Sequence, residues 1–401
     1  MIVVGAGPTG LALALALGLE GVSVVVLEAA AELHREARGA AYHPPTLEIF
    51  ERLGVIDAIQ AKGIRAPVWQ IRDRIDGLVA EFDLGLIADR TPYPYRLHLE
   101  QSQLTRILLA RIAEAAPSVI VRFGAEVVEA GQDADAAWVT LNDGERIAGG
   151  FVVGCDGARS AVRRSAGIAF EGFTWPERFL VSVLDMDLAR FGLANAGYVA
   201  DPERWAAIFH LPGDGPPGVW RVVYPIAEEA DEAEALSPAA VQASLATIFA
   251  HTIVAPPDGV FPLQSAMVYR VHQRVAERFV AGRLVLAGDA AHLNNPLGGF
   301  GLNGGVQEAE NLAAKLVRVL RNGEPYQPLF AHYERQRRPL NIKAVQALSI
   351  RNKRLLEETD AGVRRARLDE LHATAADPAA ARAFLLNSSM INAVEEAAAV
   401  A

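Results

Sequence analysis

Ile2-Val3-Val4-Gly5-Ala6-Gly7-Pro8-Thr9-Gly10, continued by Leu11-Ala12-Leu13-Ala14-Leu15-Ala16-Leu17 and closed by Val22-Ser23-Val24-Val25-Val26-Leu27-Glu28, is the stretch whose reading decides the fold. Three β-prone residues run into a Gly-x-Gly-x-x-Gly loop, a helix follows, and a second apolar strand ends in an acid. That is a β-α-β unit. Gly5 permits the tight turn, Gly7 lets backbone N–H groups approach a pyrophosphate at the positive end of a helix, and Gly10 lets helix and strand pack closely. Glu28 stands where a carboxylate can accept hydrogen bonds from an adenosine ribose, so the expected guest is a dinucleotide.

The composition narrows the rest. With 401 residues, 51% of them hydrophobic, the chain can build about two to three structural units with real cores. A net charge of −10 disfavours nucleic acid and anionic membranes as partners. The single cysteine, Cys155, excludes an internal disulfide and leaves no cluster for zinc or iron–sulfur, so no metal is expected. No signal-peptide pattern precedes the first strand, and the helix after the glycine loop is too short to span a bilayer. A soluble cytoplasmic protein is the expectation.

Further along, His34, Arg35 and Arg38 precede a small-residue passage, Gly39-Ala40-Ala41, where a ligand can run close to backbone. Arg38 reads either as a ligand contact or as a surface cation. Thr46 is the expected N-cap of a helix over 47–53. Residues 69–84 alternate apolar and polar around Asp76-Gly77 and predict a hairpin. A helix over 102–113 follows, then strands over 119–128, 137–141 and 146–153, an antiparallel meander interrupting the parallel sheet. It delivers the chain to Val152-Val153-Gly154-Cys155-Asp156-Gly157, a second strand ending in a glycine turn and an acid. Ligands of open α/β sheets bind at that end of the strands; the other reading of Asp156 is a cap for the helix over 161–166. Between about 170 and 268 strand-like pieces (179–186, 205–211, 219–224) alternate with Pro- and Gly-rich turns and one helix over 238–251, a second, sheet-dominated unit. A third glycine-acid turn, Leu284-Val285-Leu286-Ala287-Gly288-Asp289, precedes Pro296-Leu297-Gly298-Gly299-Phe300-Gly301-Leu302-Asn303 and a helix over 306–320. Residues 326–351 and 354–390 read as helical, and the tail past 394 as frayed.

Three such turns in this order resemble the class A FAD-dependent aromatic hydroxylases, flavoprotein monooxygenases with the p-hydroxybenzoate hydroxylase fold, over roughly residues 1–345. The resemblance implies an α/β fold: a Rossmann-like FAD-binding domain of GR2 type, an inserted mixed or antiparallel β-sheet substrate domain, and C-terminal helices. Residues 1–68, 100–169 and 269–345 would form the first, 69–99 and 170–268 the second, and 346–401 the helical segment. FAD would be bound, with NADPH or NADH as a transient co-substrate that needs no second glycine fingerprint. Gly5, Gly7, Pro8, Gly10 and Glu28 would hold its ADP part, and Arg38 would lie near the pyrophosphate and the nicotinamide route. Gln101 and Arg106 match the helix that touches the ribityl chain. Val127 would meet the adenine through its backbone, Asp156 belongs to the turn implicated in FAD and NAD(P)H binding, and Asp289 is the ribityl-binding acid. Pro296, Gly301, Leu302 and Asn303 would line the flavin ring. Asn294, Asn295, Glu308 and Glu310 depart from the usual pattern and are expected to tune the pocket.

The activity so implied is hydroxylation of a phenolic or heteroaromatic small molecule by O2 through a C4a-hydroperoxyflavin. Protein side chains do not activate oxygen unaided; the chain's share is to hold the ring and exclude water. Arg221 and Tyr224, on a strand resembling one that carries substrate arginines, and Pro296, a wall against the flavin, are the candidate catalytic residues. A solvent-facing Arg221 is the alternative, and His43, His210 and His292 read more readily as structural. Two other functions stay open at this point. One is a flavin-dependent halogenase or epoxidase, although 219–225 lacks the Trp-x-Trp-x-Ile-Pro signature such halogenases carry; the other is a flavin-binding ligand carrier without turnover. A homodimer is also left open.

Overall fold

The computed structural model describes residues 1–34, 39–251, 256 and 259–401. Its first layer is a six-stranded sheet centred on Ile2–Val4. Val3 lies opposite Val26 on one side and Val153 on the other, all parallel, and Val153 in turn opposes Val285. Strands covered on both faces read as unbroken apolar runs, which is why all four carry Val, Ile or Leu at every central position. Helix Pro8–Leu19 packs on one face of this sheet together with Gln101–Ala115 and the long Phe300–Asn322. The three glycine-acid turns therefore leave the same, carboxyl end of the sheet.

The expected meander is there, and breaks where sequence periodicity did not show it. The apolar run over 119–128 divides into Val119–Arg122, which joins the parallel sheet, and Val127–Gln132, which joins a three-stranded antiparallel sheet with Ala137–Leu141 and Arg146–Gly149. Gly124, at φ 67°, makes the corner.

The second layer is an eight-stranded sheet containing the hairpin Val68–Asp73/Gly77–Asp83 and most of residues 170–276. Its centre is Phe170–Leu184, paired antiparallel with Val219–Ile226 and with Leu263–Ala276. Its two faces differ. Leu180, Ile208, Trp220, Val222 and Tyr224 point one way, into a core closed by helix Pro238–Phe249. Val181, Phe209, Arg221 and Val223 point the other way, toward the loops at the end of the six-stranded sheet.

Helices Ala361–Ala376 and Pro378–Ser388 close the far end of this sheet at its hairpin, and Ile391–Ala399 continues onto helices Tyr326–Leu340 and Pro44–Arg52. Phe384 stacks on Phe82 with ring centroids 4.3 Å apart and on Trp69 at 5.7 Å. The tail does not fray: His332 Nε2 lies 2.8 Å from the Val400 carbonyl, and Arg335 donates to Ala401. The helix expected after Thr46 begins earlier, as Pro44–Arg52 with His43 at the cap, because proline at the first helical position needs no hydrogen bond. No described helix is long and apolar enough to cross a membrane.

Candidate active site

A cavity of about 570 Å³ runs from the first glycine loop to the inner face of the eight-stranded sheet. At one end Gly7, Pro8 and Thr9 line it with Gly39–Ala41, Gln101, Cys155, Gly157 and Asp289. A small side pocket, sharing Gly7 and Gln101, continues to Glu28 and His34. All three glycine-acid turns thus open on one elongated cleft.

The first loop has the shape its sequence implies. Gly5 sits at φ +103°, and a Cβ there would lie 2.4 Å from the Cys155 carbonyl oxygen. At Gly10 a Cβ would lie 2.0 Å from the Gly5 oxygen, whereas at Gly7 it would meet no protein atom within 4 Å. Gly5 and Gly10 are required by the chain itself; the open Gly7 faces the cleft. No side chain caps the helix behind it, so its first N–H groups are available to an anion. Glu28 accepts from Ala6 N at 2.7 Å and Ala30 N at 3.0 Å, which fixes its carboxylate beside the loop.

Asp289 is presented, exposed to the cleft, on the turn Gly288–Ala290. Beneath that turn the fully buried Glu308 accepts from Gly288 N and from His292 Nε2, each at 2.8 Å. His292 and Glu308 are therefore braces, and the Glu308 departure acts on the turn that carries Asp289. Asp156 itself does not reach the cleft: its Oδ2 accepts from Ala161 N at 2.7 Å, the capping role, while its neighbours Cys155 and Gly157 line the wall. Burial pushes its carboxyl above the usual range.

The far end holds Pro296, Gly301 and Leu302. Helix Phe300–Asn322 begins here behind Gly299 with no side-chain cap. Asn303 is fully buried behind this wall. It accepts from His43 N at 2.8 Å and donates to Ala41 O at 2.8 Å and Gly299 O at 2.6 Å, clamping the two backbone segments together. His43 contacts Gly298 O at 2.7 Å and stacks on Phe300, and burial lowers its pKa to about 3. Asn295 braces Pro296 from below, accepting from Leu297 N at 3.1 Å while its own N–H donates to Gln273.

Opposite that wall stand Val181, Phe209, Leu211, Val223 and Met267, with Arg221, Tyr269 and His98 as polar members. Arg221 is 8% exposed and faces inward, so the solvent-facing alternative does not hold. Tyr224 is a correction: three positions along an alternating strand it falls on the opposite face, in the core under helix Pro238–Phe249. Arg106 points to solvent and donates to Ser102 O, and Val127 is buried in the antiparallel sheet away from the cleft. Arg38 lies outside the described residues.

Sequence reasoning missed His98, Phe209, Met267 and Tyr269. For the last two there was a signal: Met267, Tyr269 and Val271 alternate with polar or outward residues along Leu263–Ala276. His98 sits in Arg96–His98, a three-residue strand too short for any periodicity to show.

The cleft suits FAD on these observations: an uncapped helix at each end, a side-chain-free Gly7, a fixed carboxylate at Glu28 and an accessible one at Asp289. A family model described as an FAD binding domain matches residues 1–348. Para-nitrophenol 4-monooxygenase of Pseudomonas sp. (strain WBC-3) is 35% identical over 399 residues, 98% of this chain and 96% of that protein. 6-Hydroxy-3-succinoylpyridine 3-monooxygenase HspB of Pseudomonas putida is 32% identical over 360 residues, 89% of this chain and 88% of that one. The crystal structure of p-nitrophenol 4-monooxygenase PnpA from Pseudomonas putida DLL-E4 matches with a TM-score of 0.89 at 34% identity, covering 98% of this chain and 97% of that chain. A cleft built this way, on a chain so related over nearly its whole length, belongs to the FAD-dependent aromatic monooxygenases, enzymes that spend a reduced nicotinamide and O2 to hydroxylate an aromatic ring.

Proposed function

We propose that the substrate is a small single-ring phenol carrying an electron-poor polar group, with 4-nitrophenol as the representative, and that Arg221 binds its negative end. The observation carrying this is the inner face of the eight-stranded sheet. Five apolar side chains there surround one nearly buried guanidinium, opposite the wall of Pro296 and Gly299–Leu302. A flat ring fits between such surfaces, and an aromatic nitro or carboxylate oxygen suits a guanidinium withdrawn from water.

When bound, FAD supplies the reduction by NAD(P)H and the activation of O2. The chain does the remainder. Gly7, the first turn of helix Pro8–Leu19, Glu28 and Asp289 would hold the adenosine diphosphate and ribityl parts; Pro296, Gly301 and Leu302 would face the ring system. Asn303 and Asn295 keep that wall rigid: Asn303 ties the His43 backbone to Ala41 and Gly299, and Asn295 links the Leu297 N–H to the buried Gln273 side chain. The apolar members of the sheet face keep water from the reacting centre, where it would divert the reaction to hydrogen peroxide. A cytoplasmic location, with its supply of reduced nicotinamide, accords with this reading.

The test is NADPH and NADH oxidation by the flavin-loaded enzyme with 4-nitrophenol, other single-ring phenols and naphthols, product and peroxide being measured together. Stimulation confined to single-ring phenols is expected. Arg221→Ala should retain FAD but lose about 1.5–3 kcal/mol of substrate binding, roughly ten- to a hundredfold in KM, with more peroxide per NAD(P)H. Stimulation by naphthols alone, or an unchanged KM in the variant, would overturn the assignment.

A further inference from the structure

His98 is fully buried on the short strand Arg96–His98, yet it lines the cleft on the substrate side. Its Nδ1 lies 2.9 Å from the His210 carbonyl oxygen. A carbonyl only accepts, so Nδ1 must carry the proton, and in the neutral ring Nε2 is then left with a bare lone pair. That Nε2 is buried and has no hydrogen-bond partner among the described residues. An unsatisfied buried acceptor at a ligand cavity calls for a donor, and none comes from the described residues.

The tautomer is held from behind. His210, whose carbonyl receives the Nδ1 proton, is itself fixed by Asn195 Oδ1 at 2.9 Å and the Pro217 carbonyl at 2.8 Å, and it stacks on Trp220. The Phe209 ring meets His98 edge to face at 5.9 Å, which sets the plane of the imidazole. The ring also stays neutral. Burial is the main cause that brings its pKa down to about 4; the hydrogen bond to the His210 carbonyl opposes it, and neighbours including Arg96 and Arg221 add smaller downward contributions.

Resting on the substrate class proposed above, we infer that His98 Nε2 accepts the hydrogen bond of the substrate's phenolic O–H. A neutral acceptor paired with the nearby Arg221 cation gives the pocket two unlike ends, one for a hydroxyl donor and one for a negative group. A ring carrying both is thereby oriented, and a ring lacking the hydroxyl is bound with a buried lone pair unmet. Rejection of the hydroxyl-free ring is then a matter of polar mismatch, a stronger discriminator than shape.

Equilibrium binding of 4-nitrophenol and of nitrobenzene to the oxidised FAD-loaded enzyme tests this, followed by flavin absorbance and so independent of turnover. Nitrobenzene is the same ring without the hydroxyl and introduces no clash. The wild type should prefer 4-nitrophenol by roughly tenfold or more. His98→Asn keeps a donor near the Nδ1 position for the His210 carbonyl and removes the Nε2 acceptor; its preference should fall to near unity with FAD still bound. His98→Gln, which can place an amide oxygen near the Nε2 position, should restore most of it. A purely structural histidine would weaken both ligands equally and leave their ratio intact, and an unchanged ratio in His98→Asn overturns the inference. Should the wild type bind neither ligand and show no phenol-stimulated NAD(P)H oxidation, the substrate class itself falls and this assignment with it. Should it bind both equally, only the role of His98 falls.

Discussion

Within the first loop the three glycines serve different partners, and a single methyl group separates them. Gly10→Ala would place a Cβ 2.0 Å from the Gly5 oxygen, so helix and strand must part; a stability loss of about 1–3 kcal/mol is expected from such overpacking. Gly7→Ala meets no protein atom within 4 Å, so its thermal unfolding should match the wild type while FAD affinity falls at least tenfold. Thermal melts of the flavin-free proteins beside FAD titrations check both, and a Gly7→Ala that binds FAD normally contradicts the account of the loop. This division was legible in the sequence because Gly-x-Gly-x-x-Gly spacing encodes steric demands that act within a dozen residues. Tyr224 was not, because whether a strand residue faces the ligand or the core depends on what covers each face. Here helix Pro238–Phe249 covers the side that Tyr224 takes, leaving Arg221 to the cleft.

Among the elements, those with their own periodicity were found and those defined by partners were not. The strands at 2–4, 24–27, 152–154 and 284–286 announce themselves as apolar runs before glycine or acid. Ala196–Ala200 does not: it is a short, small-residue strand held between Val68–Asp73 and Ala206–Leu211, and its identity comes from that pairing. Leu263–Ala276 was overlooked although it pairs with Phe170–Leu184 along most of its length and supplies Met267 and Tyr269 to the site. The buried polar clamps were equally hidden. Asn303 reaches His43 and Ala41 from more than two hundred and fifty positions away in sequence, and Glu308 supports the Asp289 turn from a different element. Nothing local marks an amide or carboxylate as the brace of a distant turn.

For the whole molecule, burying neutral histidines couples stability to pH. Burial brings His43 to about 3 and His98 to about 4, whereas the unfolded side chains titrate near 6.5. Below 6.5 the unfolded chain binds protons that the folded one does not. The stability present above that pH is therefore lost as pH falls toward 4, by up to about 1.4 kcal/mol per unit for each histidine. Urea unfolding of wild type and His98→Asn between pH 7 and pH 5 should show a shallower loss in the variant; parallel losses would mean that His98 takes up a proton in the folded state. The fold as a whole, two sheets with a cleft between them, was readable from the order of the three turns, since each sends its ligand to the same edge of one parallel sheet.

The most direct measurement is a crystal structure of the protein loaded with FAD and soaked with 4-nitrophenol. One FAD should lie along the cleft, its diphosphate at Gly7 and the N-terminus of helix Pro8–Leu19, its ribityl chain at Asp289 and its ring system against Pro296 and Gly301–Leu302. The phenol should lie between that ring and the sheet face bearing Arg221 and His98. Flavin density away from Asp289, or a phenol on the Tyr224 side of the sheet, would contradict it.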